Sequence, residues 1–137
     1  MKNILTFLAA LCLSYCGQAQ QKDYKVVFDI SSGDSVSQKA VVREVDIIKN
    51  SSPEAKLEVV VYGQALNMVV KDKTAFAEPI QKLLAMKDVS IKVCSITMKR
   101  NNVEKSQLLP DIEPVPDGIY EIISKQKEGW GYIKVAH

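Results

Sequence analysis

Ser90-Ile91-Lys92-Val93-Cys94-Ser95-Ile96-Thr97-Met98 reads as a short buried strand that ends in a cysteine and turns into polar loop. The segments on either side show the same grammar. Before it, Leu57-Glu58-Val59-Val60-Val61-Tyr62 is another buried-type strand, closed by Gly63. Between the two, Gln64 to Lys71 is a loop or short helix. Thr74 to Met86 carries Phe76, Ile80, Leu83 and Leu84 at helical spacing.

Further back, Tyr24-Lys25-Val26-Val27-Phe28-Asp29-Ile30 is β-branched and aromatic with little alternation at its centre, as in a strand covered on both faces. Ser31-Ser32-Gly33-Asp34 breaks it, and Asp34 or Ser35 caps a helix from Ser35 to Lys49 built on Val41, Val45 and Ile48. Asn50-Ser51-Ser52-Pro53 stops that helix.

After the cysteine, Thr97 to Gln107 is polar and reads as a loop with a helical portion at most. Leu108 to Val115 is apolar but interrupted by Pro110 and Pro114, so any strand there is short. Asp117 to Glu128 is a capped helix on Ile119, Ile122 and Ile123. Gly129 ends it, and Trp130 to Val135 is a final strand.

The order β-α-β-α-β-loop-β-α-β predicts an α/β fold. It is a small, open, parallel five-stranded sheet with helices on both faces, a flavodoxin-like three-layer arrangement. Ligands in such sheets sit beyond the carboxyl ends of the strands, where strand order reverses. The candidate edge loops are 31–34, 63–67, 94–98 and 114–118. They make Cys94 the candidate nucleophile, with Ser31, Ser32, Gly63, Gln64, Ser95, Thr97 and Met98 as candidate ligand-binding residues. A turn of helix after Cys94 would aim free N–H groups at its sulfur and favour the thiolate. Lys92, Lys99 and Arg100 lie close in sequence, with Lys92 expected to face away.

The first residues read as an export signal. Lys2 gives a positive start, Ile4 to Leu13 is apolar but too short to span a bilayer, and Gly17-Gln18-Ala19 suits a signal peptidase. Residues 1–19 are thus the expected signal peptide and 20–137 the single domain. The expected destination is the periplasm or the exterior. Leu13-Ser14-Tyr15-Cys16 offers a minority alternative, a lipid anchor through Cys16, although Tyr15 is bulky for such a box. Cutting after Ala19 removes Cys12 and Cys16 and leaves 118 residues with one cysteine, so no internal disulfide forms.

An idle free thiol is a liability outside the cytoplasm. Yet free cysteines are also among the most buried residue types. Spacing alone leaves a reactive Cys94 and a core Cys94 about even, and the second alternative is a non-enzymatic ligand-binding or assembly module. Ser31 to Asp34 can cradle an anion, but a helix-capping turn explains it fully. Neither GxGxxG nor GxxxxGK[ST] is present. The single histidine is His137 at the terminus, which disfavours Cys–His acyl transfer and a zinc or haem site. No cofactor and no metal are expected. The 18 basic and 16 acidic residues form no basic stripe, so nucleic acid is not an expected partner, and no later segment suits a membrane span.

Several of these pieces, taken in order, resemble the DsrE/DsrF/TusD-like proteins, small sulfur-relay proteins. They are Val26 to Asp34, Val59 to Gly63, Val93 to Met98, Val115-Pro116-Asp117-Gly118, and Gln126 to Ile133. The resemblance runs from about Tyr24 to Val135. It implies a five-stranded parallel core and a cysteine at the position of Cys94 that carries sulfur as a persulfide. It also implies a sulfur donor or acceptor protein as partner. Assembly into trimers or hexamers is implied as well, and the apolar Val59–Tyr62 and Trp130–Val135 segments are a second ground for expecting oligomerisation. The relays of that family work in the cytoplasm, whereas this chain begins with an export signal.

Overall fold

Runs of β-branched residues with no polar alternation form strands that need cover on both sides. The computed structural model, which describes residues 24–135, arranges five of them in one sheet. The strands are β1 (Lys25–Ile30), β2 (Lys56–Val61), β3 (Val89–Cys94), β4 (Glu113–Val115) and β5 (Gly131–Val135). The helices are α1 (Ser35–Ser51), α2 (Ala77–Leu84), α3 (Ser95–Arg100) and α4 (Gly118–Lys127), with 3-10 turns at Gly63–Val69 and Lys105–Gln107. Strand order is β4-β3-β2-β1-β5, and every pair is parallel. The expected signal segment, Cys12, Cys16 and His137 lie outside the described residues.

Side chains alternate across the sheet, and paired residues share a face. Val26, Phe28, Ile30, Leu57, Val59, Val61, Ile91 and Val93 form one face. They pack with Val41 and Val45 of α1, Ile80 and Leu83 of α2, and Met98 of α3. On the other face, Val27 and Val60 meet Ile122 of α4, with Tyr62 and Trp130 alongside. This gives the expected helices on both faces, but unequally. The first face is apolar throughout. The second carries Asp29, Glu58, Lys92, Cys94, Tyr132 and Lys134.

Local chemistry explains where the elements depart from expectation. Helix α2 begins at Ala77 rather than Thr74, because the Thr74 hydroxyl takes the Phe76 N–H at 2.9 Å and holds a turn there. The strand expected within Leu108–Val115 shrinks to three residues at the sheet edge. The polar stretch after Cys94 is helical at once, from Ser95. In α4 the buried stripe is Gly118 and Ile122, while Ile119 and Ile123 face solvent. Val59, Val60 and Val61 are core, so that part of the ground for subunit contact is withdrawn; Tyr132 and Ile133 of β5 are exposed.

The chain steps from β1 outward to β4 and then crosses to the far side of β1. Strand order therefore reverses at β1 and β5. Cys94 stands at the carboxyl edge as expected, but two strands from that reversal.

Candidate functional site

Cys94 closes β3 with an extended backbone and is the residue from which α3 starts. It is buried, with 6% of its surface exposed. Its side chain lies on the same face as α4, whose first residue is Gly118 and whose cap is Asp117. The Asp117 carboxylate takes the N–H groups of Ile119 and Tyr120 at 2.9 and 3.4 Å, which leaves the Gly118 N–H for another acceptor.

That acceptor is the Cys94 sulfur. Burial pushes the thiol up, but the Gly118 N–H, the Thr97 N–H and hydroxyl, and the Ile96 N–H together bring it below its ordinary value. The Thr97 hydroxyl accepts the Gly63 N–H at 3.2 Å, so its own proton is free to turn to sulfur. Gly63 makes this turn at φ +59°, where an added Cβ would meet Ser31 at 3.4 Å. A thiolate held by N–H donors at the starts of two helices is the reactive form of cysteine.

Cations contribute less than their spacing suggested. Lys92 faces the same side of the sheet as Cys94, because residues two apart on a strand share a face; the expectation that it turns away is corrected. Its ammonium is held by Glu113 of β4. Lys99 and Arg100 are exposed at the far end of α3. The donors that favour the thiolate are backbone N–H groups and one hydroxyl.

The DsrE/DsrF-like family model matches residues 25–135. The chain belongs to this family. Three solved structures share the fold of this DsrE-like chain. A protein of unknown function, MTH1491 from Methanobacterium thermoautotrophicum, is 27% identical with a TM-score of 0.77, over 82% of this chain and 99% of that one. BT1422 from Bacteroides thetaiotaomicron, a conserved protein of unknown function, is 15% identical with a TM-score of 0.69, over 86% and 100%. The ychN protein of E. coli is 9% identical with a TM-score of 0.64, over 83% and 99%. The search of curated proteins returned no match.

The other expected ligand-binding residues of the DsrE-like chain divide into groups. Ser31, Gly63 and Thr97 sit together at the edge beside Cys94. Gln64 packs under Gly33, where an added Cβ would meet it at 3.2 Å. Ser32 is occupied by the turn: its hydroxyl takes the Asp34 N–H at 3.1 Å and its carbonyl takes the Gln38 amide at 3.3 Å. The capping role of this turn is thus realised, with Asp34 as the cap of α1. Ser95 and Met98 line a hollow of 290 Å³ with Lys99, Asn102, Val103 and Glu104 on the flank of α3. A groove of 630 Å³ between α1 and α2 contains none of the edge residues.

Reading the sequence did not single out Gly118. Its signal was present in Asp117-Gly118, a helix cap followed by the one residue without a side chain. The polar group of Asp29, Tyr62, Tyr132 and Lys134 was also missed, because its members lie on β1, just after β2 and on β5, far apart in sequence. No helix among the described residues is long and apolar enough to cross a membrane, and no group of three metal-ligating side chains occurs among them.

Proposed function

We propose that this DsrE-like protein is an exported sulfur carrier in which the Cys94 thiolate takes up and passes on sulfane sulfur. The observation that carries the reading is the set of donors around the sulfur: the N–H groups of Gly118, Thr97 and Ile96 and the Thr97 hydroxyl. In the step, the Cys94 thiolate attacks the terminal sulfur of a donor persulfide R–S–SH. The new S–S bond forms on Cys94, the bond from R–S to that sulfur breaks, and R–S⁻ leaves. The proton stays with the transferred sulfur, and no external oxidant or reductant is consumed. The same donors that hold the thiolate suit the anion of the resulting persulfide.

Export rests on the reading of residues 1–19, and trimeric or hexameric assembly rests on the family. Burial of Cys94 favours the second reading, a binding or assembly module with an inert core thiol. Core packing alone, however, does not call for a hydroxyl and three N–H groups around one sulfur.

Polysulfide treatment followed by intact-mass measurement tests the carrier. The expected result is added sulfur on the native protein that Cys94→Ser abolishes. A thiol that reacts only after denaturation and never gains sulfur sinks the proposal and leaves the core reading.

A further inference from the structure

Asp29 is 4% exposed, and its Oδ1 is buried with no hydrogen-bond partner. A buried carboxylate oxygen left unpaired is costly, and native proteins rarely keep one without a use. Its other oxygen is well supplied. Oδ2 accepts the Tyr132 hydroxyl at 2.6 Å and stands 3.3 Å from the Lys134 ammonium. Tyr62 completes the group: burial and then the Asp29 carboxylate push its phenol up, and Ser31 lies within its reach.

This cluster occupies β1 and β5, where strand order reverses. In open parallel sheets that is where ligands bind. Glu58 Oε1 is also buried and unpaired, but it sits beneath α4 against Lys125. Around Asp29, by contrast, Tyr132 is 42% exposed and the Lys134 side chain 51% exposed, so these two can move to admit a ligand.

We propose that Asp29, Tyr62, Tyr132 and Lys134 form a second site, which binds the head of a small zwitterionic thiol, an α-amino acid of the cysteine class, with its sulfur toward Cys94. The unused capacity of the cluster dictates the head group. Asp29 Oδ1 accepts only and calls for an ammonium. Lys134 has N–H donors to spare beyond its contact with Asp29, and they call for a carboxylate next to that ammonium. The thiol on the ligand rests on the sulfur-carrier reading; the zwitterionic head does not.

Register sets the reach. Asp29 pairs with Val60, and Val60 with Lys92, so Cys94 lies two strands over and two residues further along. With strands about 4.8 Å apart and a rise of about 3.3 Å per residue, the two α-carbons are about 12 Å apart. Asp29 and Cys94 project from the same face of the sheet, so a ligand whose ammonium meets Asp29 lies on the face that Cys94 also occupies. Tyr62 stands between the two residues, level with Cys94.

Calorimetric titration of the Cys94→Ser protein with reduced cysteine tests the site. Expected is saturable binding. N-acetylcysteine, which lacks the ammonium, and cysteamine, which lacks the carboxylate, should each bind at least about tenfold more weakly. Asp29→Asn and Lys134→Gln should weaken cysteine binding to a similar degree. Lys134→Gln alters an exposed side chain and decides the matter if Asp29→Asn does not fold. No saturable heat up to about 20 mM cysteine overturns the proposal, as do affinities that the altered ligands and the folded variants leave unchanged. Because the titrated protein has no thiol at position 94, failure here leaves the persulfide reading standing. A failed persulfide test likewise leaves this binding site standing.

Discussion

A Cβ placed on Gly118 would stand 3.1 Å from the Cβ of Cys94. The first residue of α4 therefore lies close against Cys94, and its N–H is one of the groups that lower the thiol's pKa. The same added atom would also meet Val60 Cγ1 at 3.2 Å and Tyr62 Cβ at 3.6 Å. The two Cβ atoms are fixed to the backbone, and Val60 is fully buried, so none of the three gives way freely.

Gly118→Ala should move the end of α4 off the sheet. Overpacking of this kind costs about 1–3 kcal/mol. The substitution gains less than the roughly 1 kcal/mol of helix propensity seen in a helix interior, because residue 118 is the first of the helix. The net loss of stability is thus at most about 3 kcal/mol, and the informative effect is on the thiol. With the residue-118 N–H drawn away from the sulfur, burial of Cys94 is opposed by fewer donors and its pKa rises. The rate of iodoacetamide labelling against pH reports this as a shift of the profile to higher pH. An unshifted profile would show that Gly118 serves packing alone.

Thr97 holds two partners with one oxygen, the Gly63 N–H and the Cys94 sulfur. Thr97→Val keeps the shape and removes the hydroxyl. It leaves the Gly63 N–H unpaired near the sheet edge, at a cost of about 1–3 kcal/mol. It also raises the Cys94 pKa, so labelling at neutral pH slows. Thr97→Ser should retain both bonds and stay near the wild type in labelling rate. Equal behaviour of the Val and Ser variants would remove the hydroxyl from the account.

Linkage gives a third measurement. Cys94 has a folded-state pKa below its ordinary thiol value. A depressed pKa contributes stability that is fully present above the unfolded value, about 8.5, and is lost as pH falls through the folded value. Cys94→Ala removes this contribution and otherwise changes packing by an amount that does not depend on pH. The stability advantage of the wild type over Cys94→Ala should therefore widen as pH rises between those two values and stay level outside them. Urea denaturation of both proteins across that range tests the sign. An advantage that is constant or that shrinks with rising pH contradicts the donor cradle.

The sheet was legible because its strands are runs such as Val59-Val60-Val61, which no surface element tolerates. The thiol was legible for a similar reason: Cys94 ends such a run. What lay hidden depends on contacts between distant segments. The expected stripe of α4 used Ile119 and Ile123, yet the close approach at Gly118 and the ion pair at Lys125 rotate the helix so that only Ile122 among the three isoleucines is buried. The pairing of Asp29 with Tyr132 joins residues more than a hundred positions apart, and no local pattern encodes it. Lys92 was expected to face away from the thiol; it shares the Cys94 face, where Glu113 of β4 holds its ammonium.

Glu58 offers a last test, at the other end of α4. Its carboxylate is buried on β2, where it accepts the Ser90 hydroxyl at 3.1 Å and faces Lys125 at 3.4 Å. Lys125 in turn lies 4.8 Å from the centre of the Trp130 ring and 3.7 Å from Glu121. Burial raises the Glu58 pKa; Lys125 opposes this, and Glu121 adds to it. A raised carboxyl pKa contributes stability that is fully present below the unfolded value, near 4.5, and is lost as pH rises through the folded value. Glu58→Gln keeps a group that can accept from Ser90 and carries no charge at any pH. Relative to wild type it should therefore gain stability as pH rises from about 4 to 7. Chemical denaturation of both proteins at the two ends of that range measures the gain. If Glu58→Gln instead loses ground with rising pH, attraction to Lys125 outweighs burial, and Glu58 holds α4 as an ordinary ion pair.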